Sequence, residues 1–233
     1  EVSRLGDIPW KLSEGRTPQI SAITEDKTGN LWVGTIEGGL YQMNPVTEAV
    51  KHYAFIPQNP VSILSNNVNG LLIDRDNHLW VYTWGAGISE LDLNKPQPTF
   101  RQHSNGKVPG LEDDFIMSAA EDSINRGIWF GTTHGLVFYD KGQERFRRVD
   151  FHAMVSEFKS IGSLCVDCKG RLWVGTSEGL FIVDLFSFAR SRQHFNYIYL
   201  RYKLDDAKST QVERINVVFQ DSQGRIWLGG KGT

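Results

Sequence analysis

The chain has 233 residues, of which 40% are hydrophobic, 12% aromatic and 22% charged, with a formal net charge of -2; this is the make-up of a globular protein long enough to bury a sizeable core. So even a balance gives no electrostatic reason to bind nucleic acid or an anionic membrane, and no run approaches the roughly 18 apolar residues that span a bilayer. The start at Glu1 has no basic-then-apolar signal segment, so the chain reads as a soluble piece, compatible with being part of an exported protein whose signal or anchor lies elsewhere.

Twenty-three glycines beside 13 Phe, 7 Trp and 7 Tyr favour strands and turns over helices, and a repeat organises them. Its copies run Ile20 to Thr35, Val68 to Thr83, Ile116 to Thr132, Ile161 to Thr176 and Ile215 to Gly230. Their tryptophans, Trp32, Trp80, Trp129, Trp173 and Trp227, are spaced by 48, 49, 44 and 54 residues. A period of about forty to fifty residues built from short strands points to propeller blades.

Each copy opens with a strand and a tight turn. Asp26, Asp74, Asp167 and Asp221 begin that turn, where a carboxylate can accept a backbone N–H, and Gly29, Gly170 and Gly224 end it. The second copy has Asn77 at the glycine position, and the third stretches the turn from Asp122 to Gly127. The following strand, such as Leu31-Trp32-Val33, is apolar at successive positions, as expected when both faces of a sheet are covered. The five tryptophans and the turn aspartates are therefore assigned structural roles, the tryptophans as core between blades.

Glycine-rich turns then lead to third strands at Leu40 to Met43, Ile88 to Leu91, Leu136 to Tyr139 and Leu180 to Val183. Fourth strands are expected around Tyr53, Phe100, Phe146 and Phe195 to Tyr202, and long connections at Pro57 to Asn67, Ser104 to Asp114, Asp150 to Ser160 and Asp205 to Glu213. The predicted fold class is all-β, made of β-propeller blades of four antiparallel strands. A single segment, 1–233, would hold blades at 13–56, 61–103, 110–151 and 156–204 and a partial one at 210–233. Either Glu1 to Leu12 complete a five-bladed ring, or the chain is an open excerpt of a larger propeller; the excerpt is the preferred reading.

Chemical motifs are sparse. Cys165 and Cys168 form a Cys-x-x-Cys pair without a second pair to complete a zinc site, and they read as a strand and a turn residue, with a local disulfide as the alternative. Gly175 to Gly179 spells Gly-x-Ser-x-Gly, yet a strand follows where a nucleophile elbow needs a helix. No metal site, cofactor or catalytic residue is assigned. The basic residues Arg145, Arg147, Arg148, Arg190 and Arg192 read as solvated positions. The turns between second and third strands share a face with the connections to the next blade, and there the candidate ligand-binding residues are Glu37, Trp84, His134, Glu178 and Lys231. Trp84, an additional aromatic in a glycine-rich turn, could stack on a sugar ring or a base.

The pattern Asp-x-x-Gly-x-Leu/Ile-Trp-Val/Leu-Gly-Thr followed by Gly-Gly or Gly-Leu, seen at Asp26 to Gly39, at Asp167 to Leu180 and less completely at Asp221 to Gly230, resembles the two-component regulator propeller repeats of bacterial sensor proteins. Tyr82 and Trp84 in the second copy, and the long turn of the third, depart from it. The resemblance implies a larger, seven-bladed propeller in the periplasmic part of a membrane-anchored, two-component sensor. It implies neighbouring propeller or sandwich domains in the same chain, a homodimeric parent, a kinase or cyclase output outside this segment, and an oligosaccharide or other small periplasmic ligand. A protein-interaction scaffold and a propeller-type polysaccharide-acting enzyme are the alternatives.

Overall fold

The computed structural model of the protein describes residues 17–151, 160–201 and 214–231. The chain forms two compact units, Glu1–His103 and Ser104–Thr233. In the first unit, β1 (Gln19–Glu25), β2 (Leu31–Ile36), β3 (Gly39–Met43) and β4 (Val50–Tyr53) form one sheet in chain order. A second sheet holds β5 (Val68–Ile73), β6 (His78–Thr83), β7 (Ile88–Asp92) and β8 (Phe100–His103). The other unit repeats the plan with β9 (Ile116–Asp122), β10 (Gly127–Thr132), β11 (Gly135–Asp140) and β12 (Arg145–Val149), then with β13 (Ile161–Val166), β14 (Arg171–Thr176), β15 (Gly179–Asp184) and β16 (Tyr197–Arg201). The fifth copy contributes a two-stranded sheet of β17 (Arg214–Gln220) and β18 (Ile226–Lys231). The fold is all-β, and its four-stranded antiparallel sheets are propeller blades. The expected strands within Glu1 to Leu12 and the connection from Asp205 to Glu213 lie outside the described residues, as does most of the connection from Asp150 to Ser160.

The repeated aspartate does more than cap a turn. In each of the five copies one carboxylate oxygen accepts backbone N–H groups of the turn while the other accepts the indole N–H of the tryptophan. The indole contacts are 2.9 Å from Trp32 to Asp26, 2.9 Å from Trp80 to Asp74, 2.9 Å from Trp129 to Asp122, 2.8 Å from Trp173 to Asp167 and 2.9 Å from Trp227 to Asp221. Trp is a donor only, so a buried indole left unpaired would cost about 1–3 kcal/mol. The aspartate thus lets the largest side chain of the repeat enter the core.

Packing between successive sheets of a unit explains the rest of the motif. Trp32 joins Val68, Leu79 and Val81 of the second sheet, and Trp129 joins Ile161, Leu172 and Val174 of the fourth. Glycine follows these tryptophans two residues later because the next first strand lies directly on it. A Cβ at Gly34 would sit 2.6 Å from Val68, one at Gly131 2.6 Å from Ile161 and one at Gly175 2.7 Å from Ile215. Every first strand also carries a β-bulge near its start, at Ser21, Asn69, Met117, Gly162 and Asn216, which sharpens the twist of the inner strand.

Trp32, Trp80 and Trp129 are fully buried. Trp173 is only partly buried, and Trp227 is 55% exposed. In both, an arginine stacks on the indole, Arg171 at 5.0 Å and Arg225 at 5.6 Å, and also donates to the turn aspartate. A short helix, α1 (Leu185–Arg190), interrupts the connection from β15 to β16 where the sequence reads as strand and loop. Asp184 caps it by accepting the N–H groups of Phe186 and Ser187, a local interaction that outweighs the strand preference of Phe186 and Phe188.

Candidate functional site

The turns joining second and third strands are built alike, which places their tip residues. A buried threonine hydroxyl donates across each hairpin: Thr35 to Gly39 O at 2.8 Å, Thr83 to Gly87 O at 2.8 Å, Thr132 to Gly135 O at 3.0 Å and Thr176 to Gly179 O at 2.9 Å. Between these fixed ends lie the residues that vary between copies. Glu37 is exposed, has a φ of 68° and is held by its N–H to the Asn67 side-chain oxygen at 2.9 Å. Trp84, half exposed, donates its backbone N–H to the Asn67 carbonyl at 3.2 Å. Asn67 therefore ties both turns of the first unit to one point.

In the second unit a cavity of about 280 Å³ opens beside the β10–β11 turn, between His134 and Thr132 on one side and Glu112, Asp113 and Arg148 on the other. Asp113 organises it. Its carboxylate is buried and accepts from the Thr133 hydroxyl at 2.7 Å, the Phe115 N–H at 3.0 Å and the His134 N–H at 3.1 Å. His134 Nδ1 lies 3.0 Å from the same carboxylate. Burial pushes the Asp113 pKa up, but these hydrogen bonds prevail and hold it below the ordinary carboxylate value. An ionised Asp113 makes Nδ1 the donor, so neutral His134 presents Nε2 as an acceptor. Its side chain is 78% exposed, available to a ligand. Arg148 donates to Glu112 at 3.2 Å and to Asp150 at 3.0 Å, which raises its pKa and keeps the guanidinium beside a carboxylate.

Of the candidate residues in this unit, only His134 lines the cavity. Glu178 sits in the β14–β15 turn, 3.9 Å from Arg201, with its carbonyl accepting from the Tyr199 hydroxyl at 3.2 Å. Lys231 ends β18 opposite Arg214. Sequence reading missed Glu112, Asp113 and Arg148. The acidic run Glu112-Asp113-Asp114 just before a first strand was the available signal for the first two, whereas Arg148 was hidden in a basic strand.

Catalytic motifs fare differently. The Gly175 to Gly179 string is a hairpin between β14 and β15, and Cys165 and Cys168 are free thiols, Cys165 on β13 and Cys168 in the turn, where Gln220 donates to its sulfur at 3.4 Å. The Thr133 hydroxyl is committed to Asp113 and touches His134 on the Nδ1 side, 3.0 Å away, so it is not placed as a nucleophile for Nε2. The arrangement offers a ligand fixed donors and acceptors.

Comparison with known proteins agrees with this picture of the fold. The sequence model of the two-component regulator propeller family matches residues 15–37 and 211–232, in the first and fifth copies. Over 185 residues the chain is 26% identical to histidine kinase P4 of Formosa agariphila, a match that covers 74% of this chain and 13% of that protein. It superposes with a TM-score of 0.71 and 19% identity on the extracellular domain of a hybrid two-component system from B. thetaiotaomicron, over 94% of this chain and 27% of that one. Virginiamycin B lyase from Staphylococcus aureus shares the fold at a TM-score of 0.61 and 12% identity, over 91% of this chain and 63% of the lyase. The chain thus spans only a small part of these signalling relatives. The repeated Asp–Trp blade and the match to its sequence model together show that this chain carries two-component regulator propeller repeats at residues 15–37 and 211–232.

Proposed function

We propose that this chain is the ligand-recognition part of an extracytoplasmic, periplasmic sensor in a membrane-anchored two-component protein, and that it binds a carbohydrate without transforming it. The observation that supports this reading is the cavity at His134. It combines an oriented imidazole acceptor, a carboxylate and a guanidinium within a rigid hairpin scaffold, an array that suits the closely spaced donors and acceptors of sugar hydroxyls. The relatives' names add support, since they are a histidine kinase and the extracellular domain of a hybrid two-component system. Among the described residues no helix is long and apolar enough to cross a membrane, so anchor and output would belong to other parts of the parent, as would neighbouring propeller or sandwich domains and a dimer contact.

The test is a thermal-shift screen of oligosaccharides followed by calorimetry. A saccharide should bind and lose about tenfold or more in affinity when His134→Ala or Arg148→Ala is introduced, an effect of the size expected when a ligand loses one or two hydrogen bonds. Failure of every saccharide while another ligand class binds would contradict the reading, and so would turnover of a polysaccharide by the purified protein.

A further inference from the structure

The same groove between neighbouring sheets is closed in one unit and open in the other. In the second unit, α1 and the residues after it fill the space beside the outer strands of the third sheet. Phe188 packs 4.7 Å from Trp129 and 5.3 Å from Phe138, ring centre to ring centre. Arg192 then covers the Phe188 ring at 4.4 Å and the Phe138 ring at 5.2 Å, and donates to the Asn125 side-chain oxygen. The chain itself thus plugs this groove with an aromatic ring and a cation.

Among the described residues the first unit has no such plug. Its β7–β8 connection carries Pro96 and Pro98 where the fourth sheet carries α1, and a cavity of about 240 Å³ remains beside the Asp26 turn and the outer strands of the first sheet. Gln42, which pairs with Trp32, takes the register position that Phe138 takes opposite Trp129. Lys27, Lys51 and Lys95 surround this opening. Lys27 donates to the Arg75 carbonyl at 2.9 Å, Lys51 stacks on the Tyr53 ring at 5.0 Å, and Lys95 has a carboxylate within reach, Asp92 at 3.5 Å. Asp26 also lines the cavity, but one oxygen takes the N–H groups of Thr28 and Asn30 and the Thr28 hydroxyl, and the other takes the Asn30 amide and the Trp32 indole. Its oxygens are occupied inside the turn, while its negative charge remains at the groove. The Tyr53 ring and the two prolines supply apolar surface, and the three ammonium groups outnumber the Asp26 and Asp92 carboxylates, so the rim is net positive.

We infer that this open groove binds a small anionic ring compound, one whose ring occupies the space that Phe188 fills in the other unit and whose carboxylate or sulfate meets the lysines. The groove shares no lining residue with the cavity at His134, so it is a second site.

Calorimetry on the full chain with glucuronate and benzoate, each against its neutral counterpart methyl glucoside or benzamide, tests this and separates a sugar acid from an aromatic acid. At least one anion should bind about tenfold more tightly than its counterpart, and more weakly as salt rises. Removing Lys27, Lys51 and Lys95 together should cost about tenfold or more, each exposed pair being worth a few-fold. Lys51→Glu, which reverses one exposed charge at the rim, should remove the preference for the anion even if the triple variant does not fold. His134→Ala should change nothing, so failure here is distinguishable from failure of the saccharide reading. Equal binding of anion and neutral counterpart, unchanged affinity for the anion in Lys51→Glu, or silence of both anions at about 10 mM would overturn the inference.

Discussion

At the scale of single residues, the most informative object is the carboxylate that serves a turn and an indole at once. Asp122 is fully buried and also accepts from the Asn125 side chain at 2.7 Å, whereas Asp221 serves a tryptophan that is more than half exposed. Asp122→Ala should lower unfolding free energy by about 2–4 kcal/mol in urea titrations, because several buried donors lose their acceptor together; Asp221→Ala should have a visibly smaller effect. Equal losses would mean that the shared motif, and not burial, sets the contribution. The turn half of this device was legible in the sequence, since Asp-x-x-Gly is turn chemistry. The indole half was not, because a separation of six or seven residues acquires meaning only once the hairpin folds the aspartate back beside the second strand.

A second residue-scale device lies in the second sheet alone. Glu90 is buried between His78 Nδ1 at 2.7 Å and His103 Nε2 at 2.9 Å, at the position that pairs with Trp80; the corresponding residues of other sheets are Gln42, Phe138 and Ile182. Burial pushes the Glu90 pKa up, but the hydrogen bonds from the two histidines pull it down to about 2. Its stabilising effect is therefore present above the unfolded value of 4.5 and lost as pH falls toward 2. His78 is shifted the other way, raised above 6.5 chiefly by its bond to Glu90 and opposed by burial. Its contribution is complete below pH 6.5 and disappears as pH rises through the folded value. Chemical denaturation across pH should thus show stability falling on both sides of a maximum near pH 5–6, with Glu90→Gln flattening both limbs. An unchanged profile in that variant would refute the coupling.

At the scale of elements, glycine is the residue that lets one sheet lie on the next. Gly131→Ala would bring a Cβ to 2.6 Å from Ile161 and 2.5 Å from the Ser118 hydroxyl, and should cost about 1–3 kcal/mol through overpacking. Gly142→Ala, with its nearest contact at 3.4 Å, should stay within about 0.5 kcal/mol. Thermal melts of the two variants decide whether the glycine of the repeat is a packing position or a turn residue. Strand order and hairpin positions were readable here because the hydrophobic runs and turn residues recur. Helix α1 was not, since Leu185 to Arg190 is rich in strand formers and only the cap at Asp184 turns it. The cavity was half legible: His134 stands out as a departure in a repeated turn, but Asp113 and Arg148 come from a connection and an outer strand that reach the site only through the fold.

At the scale of the whole molecule, copies of one motif divide the labour. What the copies share, the aspartate and the indole in all five and the threonine across the hairpin and the close glycine in most, is consumed in building each unit. What they do not share is left at the turn tips and in the open groove of the first unit, and recognition is assigned there. Calorimetric titration of a binding saccharide against two variants, Trp129→Phe and His134→Ala, tests this division most directly. The account expects Trp129→Phe to melt earlier yet keep its affinity while folded, and His134→Ala to melt like the parent yet lose about tenfold or more in affinity. Lost affinity in Trp129→Phe together with full affinity in His134→Ala would contradict it.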